Sequence, residues 1–533
     1  MAVLSGLVNG TSLLPLLGAA FALSSVVTCY LLLFSSNPLA HIPRIRNPGK
    51  TRFSLRTRLD YLTDCRQLYL EAWKKYSSKG LVCAIPGFGL LEEVIIPSKS
   101  LRWFTSQPDS VVGCYESFAE LDKAEWTFGN AKFILNPWGG NLVRTQMGRV
   151  LENLAAAIND ELKYAFDRWI GGNYNDWTEV EVMSSMKFIV AQASSRFTIG
   201  TSLCRDENYL SITIRWLDYF VPIVAIIGLV PKFLRPLLAP IIVSPITYLT
   251  WRISKVFEPV YNERMALLQN PNIDSSNEPQ DHFQMMLRHA QKVETGEFNF
   301  PDMTRRLLVA NFGSYHQTGI ALTNAVLNIL GSDKQYDTIS VIRQEIHSVM
   351  NDFGDKTWTK AGVAKMVRLD SILRETLRLH SFGNRSILRR IMIDGFKTED
   401  GVHIPKGTNV SVFAYPPQMD EETYKNPYEF DPFRFSRMRE AEAEADVAES
   451  SKNNLTFVSI GPQYLPFSYG KHACPGRFLV DFELKMLVAY LVMNYDLELP
   501  ERYQGQRPET KWVAEASFPD TSAKMRVRRR KAI

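Results

Sequence analysis

The residues from Phe467 to Gly476 read Phe-Ser-Tyr-Gly-Lys-His-Ala-Cys-Pro-Gly and place one cysteine, Cys474, between Gly470 and Gly476. Basic residues flank it at His472 and Arg477. No second cysteine stands two or three positions away, which excludes a zinc ribbon or a Cys-x-x-Cys redox pair at this place. A lone soft thiolate suits a metal that takes a single axial protein ligand. Haem iron held by Cys is that case, and the thiolate pushes electron density so as to favour O–O cleavage. Glycines beside it let backbone approach a ring and aim N–H groups at the sulfur. The plain alternative is a small, inert, buried Cys in a Gly-rich turn.

Two further sets of residues have chemical potential. From Leu307 to Leu330 the chain carries neither Pro nor charge, Asp302 after Pro301 can cap its start, and Gly331 can end it. A helix this apolar all round belongs in a core. Within it runs Asn311-Phe312-Gly313-Ser314-Tyr315-His316-Gln317-Thr318, polar choices that are costly in a buried helix unless something uses them. A Thr bonded back to its own helix is the plain alternative. Glu375 and Arg378 are i,i+3 neighbours on the helical stretch Leu369–Leu379. On a surface such a pair contributes less than about 1 kcal/mol.

These residues need elements to hold them. Leu13–Phe34 is an uncharged apolar run of bilayer length, with Arg44, Arg46, Lys50 and Arg52 after it and no Lys or Arg before it. That predicts a single membrane anchor with a luminal N-terminus, residues 1–12, and a cytosolic body. A cleaved signal peptide would need a basic leading segment. Asn9-Gly10-Thr11 is a sequon on the luminal side. Residues 35–50, with Asn37-Pro38, Ile42-Pro43 and Asn47-Pro48-Gly49, read as a stiff hinge, leaving 51–533 as the catalytic body.

Leu62–Lys75 predicts an amphipathic helix, and Leu81–Pro86 and Glu93–Ile96 predict short strands. Trp138–Trp169 has helical period and carries Arg144 and Arg149. Tyr219–Leu249 is very apolar, yet five prolines with Lys232 and Arg235 interrupt it, so an interfacial or channel-lining helix pair fits better than a span. Asn270–Gln280 reads as a polar loop and Lys334–Met350 as an exposed helix. Arg389–Ile393 and Val402–Val410 read as strands, and Arg437–Asn454, rich in Glu, Asp and Ala, as a solvated insertion. Phe478–Tyr495 has helical period, so a helix dipole would begin beneath the thiolate. Arg526–Lys531 reads as an exposed basic tail.

Phe-x-x-Gly-x-His-x-Cys-x-Gly resembles the haem-binding signature of the cytochrome P450 family, over about residues 50 to 530. The resemblance implies a mostly α fold with a minor β region, and haem b bound through Phe467, Gly470, His472, Cys474 and Gly476, with Cys474 as iron ligand. It implies that Glu375 and Arg378 form the buried Glu-x-x-Arg pair and that Arg434, in Pro432-Phe433-Arg434-Phe435, supplies the second Arg fork. Arg389 and either Arg144 or Arg149 correspond to haem-propionate positions, with a solvated face as the alternative for the latter two. The helix with Thr318 resembles the oxygen-activating helix. Gly313 and Ser314 are then its small residues, Thr318 the hydroxyl donor, and Gln317 stands where an acid is usual, which bears on proton supply. Phe312, Phe382 and Phe518 fall on pocket segments, Ser381–Ile387 supplies backbone to the substrate, and Ala516–Pro519 is a hairpin tip. The His-x-Thr spacing is similar to that of fungal members acting on secondary metabolites.

The chain has 533 residues and a net charge of +5, too small at this length to argue for nucleic-acid binding. Six cysteines without paired spacing suit a reducing compartment. The expectation is an endoplasmic-reticulum monooxygenase drawing electrons from NADPH through cytochrome P450 reductase, with cytochrome b5 as a possible second donor, and oxidising a lipophilic terpenoid or polyketide-type molecule. Lys471 and Arg477 would face the reductase. The alternatives are an isomerase or dehydratase needing no external electrons, toward which Gln317 leans, and a haem carrier or sensor.

Overall fold

The computed structural model describes residues 37–46, 54–87, 92–269, 278–293, 296–354, 358–444 and 455–531, and of 147–154 the backbone alone. The expected anchor Leu13–Phe34, the Asn9 sequon, Asn47-Pro48-Gly49, most of the Asn270–Gln280 loop, the Arg149 side chain and 445–454 of the acidic insertion lie outside what is described.

The fold is mostly helical with a smaller β region. The central element is a helix of 37 residues, Phe300–Tyr336. Its cap is Asn299, whose side chain accepts from the Asp302 N–H at 3.0 Å. Asp302 sits in the first turn instead and pairs with Lys132 at 2.8 Å. The helix does not end at Gly331 but passes through it to Tyr336. Gly331 serves close packing there: a Cβ would lie 2.7 Å from the Arg507 Cβ and 3.1 Å from its backbone N. Helices Trp138–Trp169, Val182–Thr198, Val367–His380 and Arg477–Asn494 gather around the central one. Their apolar faces form a core in which Phe166, Ile189, Leu327, Ile346, Leu373 and Leu487 are all buried.

Strands β1 (Cys83–Pro86), β2 (Glu92–Ile95), β3 (Val112–Gly113), β5 (Arg385–Ile391) and β6 (Asn409–Phe413) make a five-stranded sheet in the order β1-β2-β6-β5-β3. Only β2 and β6 run parallel. Strands β4 (Thr178–Glu181), β7 (Tyr495–Glu498) and β10 (Lys524–Arg529) make a second sheet with β10 central, and β8 (Lys511–Val513) with β9 (Ala516–Phe518) form a hairpin. The basic C-terminal segment is therefore a sheet strand and not a tail. Arg529 is buried against Asp167 at 2.9 Å and the Tyr495 hydroxyl at 2.7 Å.

Other expectations shift in detail. Leu62–Lys75 is two helices, Leu55–Thr63 and Cys65–Lys75, broken where Asp64 leaves helical backbone. The Lys334–Met350 helix is Thr338–Phe353, and it buries Ile339, Ile342, Ile346 and Val349 rather than lying exposed. The start of the acidic insertion is helical, Arg434–Glu444. Of the Pro-rich stretch, residues 37–46 pack against the sheet: Leu39, Ile42 and Ile45 are buried, and Arg44 pairs with Glu92 at 2.9 Å.

The apolar region after Asp206 forms Glu207–Leu229, Arg235–Ile242 and Ser244–Gln269. The first is long and apolar enough to cross a membrane, but 56% of that window is buried inside the protein. Trp216, Phe220 and Ile227 fill its inner face, Ile226 and Leu229 stand exposed on it, and Phe233, Leu237, Ile241, Tyr248 and Trp251 stand exposed on the segments that follow.

Candidate haem-thiolate site

Cys474 ends a loop whose shape its own backbone fixes. Ser468 (φ 63°) and Gly470 (φ 73°) take left-handed conformations, and Gly470 has Thr105 against it, so glycine is required there for both reasons. The Cys474 N–H donates to the Phe467 carbonyl at 2.9 Å, and the Ala473 N–H to that of Gly470 at 3.1 Å. Phe467 is buried edge-on to Phe457, ring centroids 5.2 Å apart. Gly476 has ordinary helical backbone and open space where a Cβ would stand. The helix Arg477–Asn494 starts immediately after it.

Burial pushes the Cys474 thiol up from its usual pKa. The Gly476 and Arg477 N–H groups, the Arg477 guanidinium and Arg144 pull the other way by favouring the thiolate. Arg389 is buried, its Nη1 donating to the Cys114 sulfur at 3.1 Å and the Leu388 carbonyl at 2.8 Å. Arg144 is exposed. Among the described residues neither forms an ion pair with a carboxylate, and Arg144 is the one of the two that bears on the Cys474 sulfur. His472 is half-buried and bonds Asp109 at 2.8 Å, with Tyr115 edge-on at 5.3 Å. Burial raises the Asp109 carboxyl, but His472 and Lys471 outweigh it and hold Asp109 below its usual range.

The expected clamp is present. Glu375 and Arg378 have no exposed side-chain surface and meet in a two-pronged pair, both contacts 2.7 Å. Arg434 adds a third contact to the same carboxylate at 3.0 Å. Arg378 also holds the carbonyls of Gln418 and Pro427, each at 2.7 Å, and Arg434 holds that of Lys425 at 2.6 Å. One carboxylate thus pins the irregular chain between Gln418 and Arg434. Gln418 in turn accepts from the Leu465 N–H at 3.3 Å, two residues before the Phe467 loop begins.

On the central helix, Thr318 is 3% exposed, whereas Gly313 and Gln317 are exposed one turn apart. Thr304, Ser314 and Thr323 bond back to carbonyls one turn earlier, and Thr318 is not among them. Phe312 packs instead against Phe220, ring centroids 4.5 Å apart and tilted at 46°. Phe382 and Phe518 meet edge to face at 5.2 Å because Ser517 bonds the Ser381 and Phe382 carbonyls.

Sequence reasoning passed over several supports. Arg385 lies buried between Glu93 and Glu515, and the hydroxyls of Tyr61 and Tyr69 also reach Glu515, at 3.0 and 3.1 Å. This set fixes the β8–β9 hairpin. Asp370 accepts from the Phe457 N–H at 3.0 Å and from Lys485 at 2.7 Å, joining the clamp helix, the Phe457 loop and the helix after Cys474. A charge within an apolar helical stretch, such as Lys485, was the available signal.

The donor set suits haem. Among the described residues no group of three or more His, Cys, Asp or Glu is gathered for a metal ion, so a metal at Cys474 must bring its other ligands. A single sulfur whose thiolate is favoured by two backbone N–H groups, an open glycine and Arg144, which has no carboxylate partner among the described residues, meet that need.

Comparison with known proteins agrees with this geometry. The cytochrome P450 family model matches residues 184–527. Cytochrome P450 monooxygenase pbrC of Penicillium brasilianum is 42% identical, with 92% of each chain covered. Cytochrome P450 monooxygenase astC of Aspergillus terreus is 41% identical over 96% of this chain and 97% of its own. Cytochrome P450 monooxygenase tenB of Beauveria bassiana is 38% identical over 93% and 92%. The fold and site define a haem-thiolate enzyme. The chain belongs to the cytochrome P450 family and is a monooxygenase that works with haem iron, a small-molecule substrate and a redox partner.

Proposed function

We propose that this enzyme is an NADPH- and O2-dependent monooxygenase of secondary-metabolite biosynthesis that hydroxylates, epoxidises or otherwise oxidises a lipophilic terpenoid or polyketide-type intermediate. Cys474 would hold its haem iron, and the observation that carries the reading is the loop that sets this one cysteine, its N–H bonded to the Phe467 carbonyl at 2.9 Å, just before the start of the helix Arg477–Asn494. When bound, haem iron with a thiolate ligand supplies O–O cleavage and oxygen insertion. The chain's own residues do the remaining work. Gly476 and Arg477 stabilise sulfur charge. Arg144, Arg389 and His472 would offer positive charge and hydrogen bonds to the acidic groups of the haem. Glu375, Arg378 and Arg434 keep the loop in place. Phe382 and Phe518 wall an apolar pocket. Gln317, not Thr318, is the side chain on the open side of the helix.

NADPH-cytochrome P450 reductase docks on the Cys474 side, and cytochrome b5 can serve as a second donor. The docking charge is smaller than expected from sequence, since Lys471 is paired with Asp109 at 3.0 Å, whereas Arg477 keeps its charge while donating to the Cys474 carbonyl at 2.9 Å. A single-pass anchor in the endoplasmic reticulum membrane, catalytic body in the cytosol, completes the proposal. The test is co-expression with a reductase and mass spectrometry of products from a terpenoid and polyketide panel. Products that form without NADPH or reductase would refute it, as would a reduced protein lacking the carbon-monoxide band of a thiolate-ligated haem.

A further inference from the structure

The open stripe of the central helix consists of Gly313 and Gln317. A Cβ at Gly313 would meet nothing within 4 Å, so the space beside this stripe is unfilled by protein. His316 flanks it. Its ring meets Phe382 edge to face, centroids 5.2 Å apart at 75°, and Phe382 meets Phe518 in the same way. His316 thus adjoins the aromatic wall while its neighbour Gln317 reaches the open side.

The His316 Nε2 is buried and has no hydrogen-bond partner. Such a group costs free energy unless a ligand or water meets it. Other polar side chains nearby have a use: Tyr315 shares a bond with Ser195, Ser314 bonds back to Ala310, and Lys187 pairs with Asp218. Packing against Phe382 alone asks only for an apolar side chain. Burial, with Lys187 adding to it and Asp218 opposing, holds His316 down to about 4. The ring is therefore neutral at pH 7 and can act as donor or acceptor at Nε2 according to its tautomer.

We propose that His316, with the Gln317 amide beside it, is the recognition site for one polar oxygen, a carbonyl or a hydroxyl, on an otherwise lipophilic substrate. The inference rests on the haem-thiolate reading and narrows the substrate class: a hydrocarbon skeleton that already carries oxygen when it arrives. A reaction that installs or retains that oxygen must precede this one.

The test uses the full-length haem-loaded protein and three rigid probes of one shape: adamantane, 2-adamantanone and 2-adamantanol. Binding is read from the shift of the haem absorption on titration. His316→Phe is expected to weaken the ketone and the alcohol about tenfold while adamantane stays within about twofold. His316→Gln, which keeps a donor and an acceptor, recovers part of the loss, and Gln317→Leu gives a smaller loss confined to the oxygenated probes. Equal effects of His316→Phe on all three probes, or none on any, overturn the proposal. The reduced carbon-monoxide band is the control in every variant. Its absence from the parent protein would sink the haem-thiolate reading itself, and its absence from His316→Phe alone moves the comparison to His316→Gln, where parental affinity for adamantane with weakened ketone binding supports the proposal and unchanged ketone binding overturns it.

Discussion

Glu375 offers a quantitative test of how the site is held. Its side chain and that of Arg378 are fully buried, and Arg434 is 11% exposed. Glu375→Ala leaves two guanidinium groups without their counter-charge. Removing one partner of a buried pair costs about 3–5 kcal/mol. Both arginines keep carbonyl acceptors in this protein, so we place the loss near 3 kcal/mol. Glu375→Gln keeps one acceptor oxygen but loses the charge, and it should cost about half as much. The assay is loss of the reduced carbon-monoxide band in urea. With a slope of about 3 kcal/mol/M, a low value for a chain this long, Glu375→Ala moves the midpoint down by about 1 M. Arg434→Ala, at the partly exposed edge, should move it less than Glu375→Ala. The band should also fall out before the tryptophan signal of the core, because the carboxylate pins the Gln418–Arg434 segment rather than the helix bundle. Coincident midpoints for parent, Glu375→Ala and Glu375→Gln would refute the reasoning.

Other expectations follow from single contacts. Glu483, on the helix after Cys474, is buried and among the described residues has only Ser194 as hydrogen-bond partner, and burial pushes its carboxyl up to about 8. A carboxyl raised in the folded state binds more protons than the unfolded chain between about pH 4.5 and 8, so stability falls as pH rises through that window. Glu483→Gln should therefore stabilise at pH 8 by up to about 3 kcal/mol and do nothing at pH 4, measured by denaturant melting at both pH values. Glu120 joins Lys123, Arg235 and Arg390, at 2.9, 3.4 and 3.4 Å. Burial opposes, but Lys123, Lys232 and Arg235 hold it down to about 2, so its contribution is present above pH 4.5 and lost on acidification toward 2. Glu120→Gln should flatten that part of the pH–stability curve. Gly331→Ala drives a Cβ into Arg507 backbone and should cost about 1–3 kcal/mol in thermal melting. Thr318→Val should leave product formed per NADPH consumed within about twofold, whereas Gln317→Ala should change it. The reverse ranking would return the hydroxyl to the role the sequence suggested.

What the sequence determined by itself was local and motif-bound. Five fixed residue types around Cys474, the Glu375–Arg378 spacing and the Pro-x-Arg-Phe turn at Arg434 are contiguous patterns, and for the Glu375, Arg378 and Arg434 set contacts of 2.7 and 3.0 Å now describe the expected clamp. Helical period found Trp138–Trp169 to the residue. Tertiary structure decided which way a side chain faces once several polar residues share one helix. Thr318 and Gln317 are adjacent, and a rotation of about 100° per residue separates a packed position from an open one. No pattern in a helix apolar all round states which side meets its neighbours, so the sequence placed Thr318 and Gln317 at one site without saying which of the two stands packed and which open. The same holds for Arg526–Arg529, a basic run that reads as a tail until β4 and β7 close on both sides of it. Arg385 and Glu515 lie 130 residues apart, and only the folded chain brings them together to set Phe518 against Phe382.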